Sequence, residues 1–148
     1  MDKTRPLLLV EDNEDDVELT LLCLKKNNIV NRVEVVRDGA EALNYLYRKG
    51  RYADRNAHDQ PAVILLDLNL PKVSGLEVLE KIRSDEKTKR LPVVIFTTSN
   101  EERDIIGSYN HGANSYIRKP VDLAQFNEAI RQLGLYWVLL NEIPPAAV

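Results

Sequence analysis

Three short runs of uninterrupted apolar residues constrain the fold of this chain more than any other feature. They are Leu7 to Val10, Val63 to Leu66 and Val93 to Phe96. A strand that is apolar at every position is buried on both faces, as strands are in parallel sheets covered by helices. The runs therefore predict an α/β fold built on a parallel sheet.

Amphipathic stretches separate these runs and complete the pattern. Two more strands are predicted at Val33 to Val36 and Ser115 to Ile117. Helical spacing is found in Val17 to Leu24, in Gly39 to Tyr47, from Ser74 through Ile82, in Asn100 to Tyr109, and from Asp122 onward. Five strand–helix units predict a doubly wound five-stranded sheet of flavodoxin-like order 2-1-3-4-5, in one domain over residues 1–133. Residues 48–61 are polar and without periodicity, which predicts an extended loop.

Composition and charge exclude several classes of protein. The net charge of -3 argues against general nucleic-acid binding, which requires a basic face. No apolar run approaches the roughly 20 residues of a membrane span. Met1 to Lys3 lead directly into a strand without the features of a signal peptide. Cys23 is the only cysteine, so no internal disulfide can form. We expect a cytoplasmic protein.

Charged and polar side chains follow four of the predicted strands. Glu11 and Asp12 come after the first strand and Asp67 after the third, whereas Thr97 follows the fourth and Lys119 the fifth. The carboxyl ends of parallel strands meet at one edge of a sheet, where α/β proteins bind ligands. We therefore expect three acids, a hydroxyl and an ammonium to converge there.

The acids at this edge predict a magnesium site. Crowded carboxylates repel one another unless a cation relieves them, and Mg²⁺ prefers oxygen ligands while it keeps several waters. Asp12 and Asp67 can each supply one oxygen, the backbone carbonyl of Asn69 can supply a third, and Glu11 can hold a coordinated water. Mg²⁺ is the predicted cofactor.

Asp67 can also serve as a covalent acceptor. A carboxylate that receives a phosphoryl group forms an acyl phosphate, and the transfer depends on positioning and on neutralising the phosphoryl oxygens. The metal ion, the ammonium of Lys119 and the hydroxyl of Thr97 would contact those oxygens. We predict that Asp67, Lys119 and Thr97 carry the chemistry.

Each of these residues also has an ordinary structural interpretation. Asp12 could cap the first helix, Thr97 could be a strand residue, and Lys119 could be a solvated surface lysine. Their joint occurrence at strand ends favours a site. The acids at positions 14–16 are different, because acids in a first helical turn are expected simply to favour the helix dipole.

Several motifs carry a resemblance to a known family. They are Leu9-Val10-Glu11-Asp12, Leu65-Leu66-Asp67-Leu68-Asn69-Leu70-Pro71, Phe96-Thr97-Thr98 and Arg118-Lys119-Pro120. Residues 6–133 resemble the receiver domain of two-component response regulators, the CheY-like family. The resemblance implies that Asp67 accepts a phosphoryl group from a phosphohistidine on a sensor histidine kinase. It also implies a switch that catalyses only its own phosphorylation and dephosphorylation.

The same resemblance assigns roles to four further positions. Thr97 is the switch hydroxyl, and Tyr116 takes the place of the switch aromatic, whose rotamer follows the threonine. Phosphorylation is expected to draw Thr97 inward and to let Tyr116 turn into the vacated space. Asn69 and Ser99, two residues beyond Asp67 and Thr97, are expected to line the path of attacking water and tune dephosphorylation.

The C-terminal residues 134–148 predict an extension of the last helix. Apolar residues fall at Phe126, Ile130, Leu133, Trp137 and Leu140, spaced as one helical stripe. We expect this stripe to form a symmetric homodimer. The alternative is that the extension folds back on its own domain, and a helix break at Gly134 is also open.

We expect no effector domain after the receiver-like residues, and we expect the output to be an interaction with an unknown downstream protein. The long loop and the extension resemble stand-alone regulators paired with cyanobacterial phytochromes. The expected partner is then a light-sensing histidine kinase.

The sequence fits three other functions less well. A flavodoxin-like FMN binder needs a glycine- or hydroxyl-rich phosphate loop after the first strand, where Glu11 to Asn13 stand. A degenerate receiver acting as a scaffold is disfavoured because the acidic, hydroxyl and ammonium positions are all occupied. A hydrolase of the haloacid-dehalogenase kind would need an aspartate in place of Asn69.

Overall fold

The computed structural model describes residues 5–56, 59–142 and 144, with Leu139 described by its backbone alone. The strands are β1 Leu7–Val10, β2 Val33–Val36, β3 Val63–Leu66, β4 Val93–Thr97 and β5 Ser115–Arg118. All neighbouring pairs are parallel, in the order β2-β1-β3-β4-β5. The predicted doubly wound fold is confirmed.

Helices connect the strands. They are α1 Glu14–Lys26, α2 Gly39–Leu46, α3 Gly75–Ser84, α4 Glu102–Asn110 and α5 Leu123–Leu133, with a 3₁₀ turn at Gly50–Tyr52 and a π-helical segment at Gly134–Leu140. No helix among the described residues is both long enough and apolar enough to cross a membrane.

The sheet separates two hydrophobic cores because successive strand side chains point to opposite faces. Leu7 and Leu9 of β1 pack with residues of α1 and α5, together with the buried Cys23. Leu8 and Val10 pack with residues of α2 and α3. Both faces of β1 are therefore buried, which explains why its sequence is apolar at every position.

Side chains cap the helices at the sheet edge. Ser74 and Asp122 accept backbone N–H groups at the starts of α3 and α5. At α1 the cap is Asn13, whose Oδ1 lies 3.0 Å from the backbone nitrogen of Asp16. The capping role considered for Asp12 is wrong, because the helix begins one residue later than that role requires.

The C-terminal extension continues α5 and does not break at Gly134. Gly134 keeps right-handed helical geometry, and a Cβ there would lie 2.9 Å from the side chain of Ile29. The glycine therefore allows the helix to approach Ile29 closely. The structure describes this extension only for residues 134–142 and 144.

The predicted dimer stripe is wrong for Phe126, Ile130 and Leu133. These side chains are buried in the core of their own domain, because the strongly amphipathic α5 packs that face against the sheet. They cannot contact a second molecule in this arrangement.

The π-helical segment changes which side chains face the domain. Its hydrogen bonds span five residues, as between the Asn141 nitrogen and the Tyr136 oxygen at 2.6 Å. Side chains spaced alternately four and three residues apart therefore no longer lie on one face of the helix. Val138, five residues after the last core leucine, is buried at 3% exposure, Trp137 is partly buried, and Leu140 is 64% exposed. The extension thus packs on its own domain while leaving part of its apolar surface exposed.

The loop between α2 and β3 is attached to α2. The guanidinium of Arg55 lies 3.8 Å from the centroid of the Tyr45 ring and donates hydrogen bonds to the Tyr45 carbonyl. None of the predicted site residues comes from this loop, of which residues 57 and 58 lie outside the described part.

Candidate functional site

The predicted residues converge at the carboxyl edge of the sheet. Glu11 and Asp12 follow β1, Asp67 follows β3, Thr97 is the last residue of β4, and Lys119 follows β5. Asp12 is exposed, whereas the other four are buried. Because buried charges require partners, their contacts decide what the site can do.

Lys119 lies among three carboxylates. Its Nζ donates to Glu11, to Asp67 Oδ2 at 3.1 Å and to Asp16 Oδ2 at 3.0 Å. One ammonium therefore joins two acids of the β1–α1 stretch to the acid that follows β3.

The contact with Asp16 was missed by sequence reasoning, which assigned that residue to the helix dipole alone. An acid in the first turn of a helix is expected whether or not it has another partner, so the sequence contained no signal for this one. Only the packing of α1 beside the segment after β5 brings Asp16 to Lys119.

The other oxygen of Asp67 faces β4. Thr97 Oγ1 donates to Asp67 Oδ1 across 2.6 Å, and the Asn69 backbone nitrogen donates to the same oxygen across 3.3 Å. We expected Thr97 to turn inward only after phosphorylation. The structure shows the contact with the unmodified carboxylate, because that carboxylate is itself a strong acceptor.

The start of α3 lies close against the backbone of the acceptor segment, Asp67 and Leu68. A Cβ on Gly75 would lie 2.3 Å from the carbonyl oxygen of Asp67 and 2.6 Å from the Cα of Leu68. The Gly75 nitrogen also donates to the Leu68 carbonyl across 3.0 Å. Only glycine allows the helix to start this close to the acceptor.

Burial and charge shift the ionisation of two groups in opposite senses. Burial raises the pKa of Glu11 to about 7; the Lys119 hydrogen bond opposes this rise, and the charge of Asp67 adds to it. Burial lowers the pKa of Lys119, but hydrogen bonding to Glu11 and the charges of Asp67 and Glu11 outweigh it and raise the value. Lys119 is therefore held in its charged form. The three carboxyl groups around it outnumber this single ammonium.

The donor set at this edge fits a hard divalent cation. One carboxylate oxygen from each of Glu11, Asp12 and Asp67 lies within 4.8 Å of the others. All three are oxygen donors, and the exposure of Asp12 leaves room for water, which Mg²⁺ retains. The contribution predicted for the Asn69 backbone carbonyl stays a prediction.

A polar groove of about 360 Å³ lies beside the acceptor. It is lined by Asn69, Ser99, Asn100, Glu101, Arg103 and Asp104. Ser99 Oγ donates to Asp104 Oδ2 across 2.6 Å, while the Ser99 carbonyl accepts the hydroxyl of Tyr116 across 2.9 Å. Asn69 and Ser99 thus line one groove, and Tyr116 is joined to the segment that follows Thr97.

Comparison with known proteins agrees with this geometry. The sequence profile of the response regulator receiver domain family matches residues 7–131. Response regulator Rcp1 of Synechocystis sp. is 37% identical over 140 residues, which cover 95% of this chain and 93% of Rcp1. The Mn²⁺-bound form of Rcp1 has a TM-score of 0.87 at 36% identity, covering 95% of this chain and 99% of Rcp1.

Two further solved structures are similar over nearly the whole chain. The phosphorylated cyanobacterial phytochrome response regulator RcpA has a TM-score of 0.89 and 40% identity, covering 95% of this chain and 99% of RcpA. The bacteriophytochrome response regulator RtBRR has a TM-score of 0.77 and 52% identity, covering 96% of this chain and 85% of RtBRR.

Proposed function

Because the chain belongs to the response regulator receiver domain family, we propose that it is a phospho-acceptor switch whose acceptor is Asp67. The observation that carries the proposal is the pair of contacts on the Asp67 carboxylate. Lys119 donates to one of its oxygens and Thr97 to the other. An ammonium and a hydroxyl in these positions are suited to bind oxygens of a phosphoryl group attached there.

The reaction is a phosphoryl transfer from a histidine kinase. A carboxylate oxygen of Asp67 forms the new bond to phosphorus, while the bond from phosphorus to the phosphohistidine nitrogen breaks and its electron pair returns to the imidazole. Lys119 and Thr97 stabilise negative charge on the phosphoryl oxygens. The activity is limited to phosphorylation and dephosphorylation of the chain itself.

Glu11, Asp12 and Asp67 are the residues that would hold Mg²⁺. When bound, the ion neutralises charge on the carboxylates and on the phosphoryl oxygens. The Mn²⁺-bound form of Rcp1, a relative of 36% identity, supports the binding of a divalent cation. Glu11 and Asp12 place further negative charge beside Asp67, and a cation relieves the repulsion among the three.

The signal leaves the site through Thr97 and Tyr116. Tyr116 is partly buried, and its hydroxyl donates a hydrogen bond to the carbonyl of Ser99, two residues beyond Thr97. A phosphoryl group on Asp67 adds negative charge and new acceptors for Thr97, so it biases the conformation of this segment. The downstream partner is a protein that distinguishes the two conformations.

The kinase is of the phytochrome type, and the chain acts as a stand-alone regulator. Similarity to Rcp1, RcpA and RtBRR over nearly the full length supports this assignment, since RcpA is a cyanobacterial phytochrome response regulator and RtBRR is a bacteriophytochrome response regulator.

The exposed part of the extension mediates self-association. Leu135, Tyr136 and Leu140 expose apolar surface beside the partly buried Trp137. Sedimentation of the wild type and of Leu140→Asp tests this. A dimer that Leu140→Asp dissociates supports the proposal, whereas a monomeric wild type at high concentration refutes it.

Phosphorylation with acetyl phosphate and Mg²⁺ tests the main proposal. We expect intact-mass analysis to show one added phosphate, absent from Asp67→Asn and retained in Asp54→Asn, which changes an exposed aspartate. Absence of uptake by the wild type refutes the proposal and favours a scaffold. Tight binding of FMN would favour the flavodoxin-like alternative.

A further inference from the structure

We propose that Asp16 is a positioning residue that competes with the phosphoryl group for Lys119 and so limits how readily Asp67 is phosphorylated. The inference rests on the proposed function and adds a residue to it. Its starting point is the hydrogen bond from Lys119 Nζ to Asp16 Oδ2 at 3.0 Å.

Asp16 is the most exposed of the three acids around Lys119. Its side chain is 27% exposed, against 3% for Glu11 and 9% for Asp67, while Lys119 itself is 4% exposed. A carboxylate that borders water is released at lower cost than one that would be left buried and unpaired. Asp16 is therefore the partner that Lys119 gives up most easily.

The start of α1 holds Asp16 in place. Its backbone nitrogen donates to the side chain of Asn13, the N-cap, across 3.0 Å. The carboxylate is consequently presented to Lys119 by a capped helix end and not by a flexible segment.

Charge explains why Asp16 opposes phosphorylation. The one ammonium of Lys119 already has three carboxylate partners, and a phosphoryl group on Asp67 adds up to about one further negative charge at the same place. For Lys119 to contact a phosphoryl oxygen, it must weaken its contact with Asp16, whose charge then remains nearby. Removing the charge of Asp16 should therefore stabilise the phosphorylated form of the chain relative to the unphosphorylated form.

Charge-neutral variants test the proposal, with Asp15→Asn as the matched control. Asp15 lies in the same helical turn and is exposed, so Asp15→Asn makes the same change in net charge and helix dipole. At low salt, we expect Asp16→Asn to be phosphorylated by acetyl phosphate about fivefold faster than the wild type and to bind beryllofluoride about fivefold more tightly. We expect Asp15→Asn to change both quantities less than twofold.

Other results would overturn the proposal. Equal effects of the two variants would show that only general charge matters, and slower phosphorylation of Asp16→Asn would show that Asp16 assists the reaction. A loss of Mg²⁺ affinity specific to Asp16→Asn would show that the residue serves the metal site. Failure of the wild type to accept phosphate would instead refute the proposed function itself.

Discussion

The hydroxyl of Thr97 donates a hydrogen bond to Asp67 across 2.6 Å, which joins the end of β4 directly to the acceptor that follows β3. The carbonyl of Ser99, two residues further along, accepts the hydroxyl of Tyr116. One short segment therefore contacts both the acceptor carboxylate and the aromatic side chain on β5. The proposed coupling of Asp67 to Tyr116 depends on this segment.

Removing the Thr97 hydroxyl should separate phosphorylation from its structural response. We expect Thr97→Ala to accept phosphate about tenfold more slowly than the wild type, because the variant loses one hydrogen bond to a charged group. Beryllofluoride should shift the NMR signals of the Tyr116 ring in the wild type and in Thr98→Ala, which changes an exposed neighbour, but not in Thr97→Ala. A full shift in Thr97→Ala would show that coupling takes another route.

Filling the groove beside the acceptor should lengthen the lifetime of the acyl phosphate. Asn69 and Ser99 line the groove, so leucine at either position should exclude attacking water and slow loss of phosphate about threefold to tenfold. The decay of phosphorylated protein after removal of the donor measures this. Asn110→Leu, at the exposed end of α4, should decay as the wild type does, and unchanged decay in both groove variants would remove their assigned role.

Adding one methyl group at Gly75 should disturb the acceptor. Because the Cβ would lie 2.3 Å from the Asp67 carbonyl oxygen, α3 or the acceptor segment must shift. We expect Gly75→Ala to lose about 2–4 kcal/mol in the free energy of unfolding, measured with urea, and to accept phosphate more slowly.

Gly107→Ala is the control for this prediction. A Cβ at Gly107 meets only the Leu76 side chain, at 3.6 Å, and alanine favours helix, so this variant should be unchanged or more stable by up to about 1 kcal/mol. Equal stability of the two variants would contradict the close approach described for α3.

Removing Lys119 should make the fold depend on divalent cations. Lys119→Met leaves Glu11 and Asp67 buried without their ammonium partner, which should cost roughly 3 kcal/mol of unfolding free energy in EDTA. Saturating Mg²⁺ should restore more stability to this variant than it adds to the wild type, since the cation replaces the missing charge. An identical gain in both proteins would argue that Lys119 and the cation act on different acids.

The C-terminal extension should stabilise its own domain through the buried side chain of Val138. Val138→Ala removes buried methyl groups and should cost roughly 1–2.5 kcal/mol, whereas Leu140→Ala, on an exposed position, should cost less than about 0.5 kcal/mol. Thermal unfolding at a protein concentration where both variants have the same oligomeric state checks this. A larger loss for Leu140→Ala would place that side chain, not Val138, in a buried contact.

Some parts of the site were predictable and others were not. The acids after β1 and β3, Thr97 and Lys119 were found because parallel strands end at one edge, a rule that needs only the order of the elements. The contact of Asp16 with Lys119 was not predicted, and neither was Asn13 as the cap of α1. Such errors arise because local spacing cannot show which way a side chain turns.

Three positions of the predicted dimer stripe are wrong for a related reason. Phe126, Ile130 and Leu133 repeat as an apolar stripe should, but periodicity does not distinguish a face buried in its own core from one buried against another molecule. The π-helical turn beyond Gly134 then buried Val138 in place of the next residue in the pattern.

The sequence by itself determined the parallel sheet, its strand order and the identity of the residues at its carboxyl edge, because these follow from hydrophobic pattern and chain order. Tertiary structure alone decided that Lys119 contacts Asp16 as well as Glu11 and Asp67, and that part of the extension is buried on its own domain. Contacts between segments a hundred residues apart depend on how helices pack, and the amino-acid pattern within each segment does not record that packing.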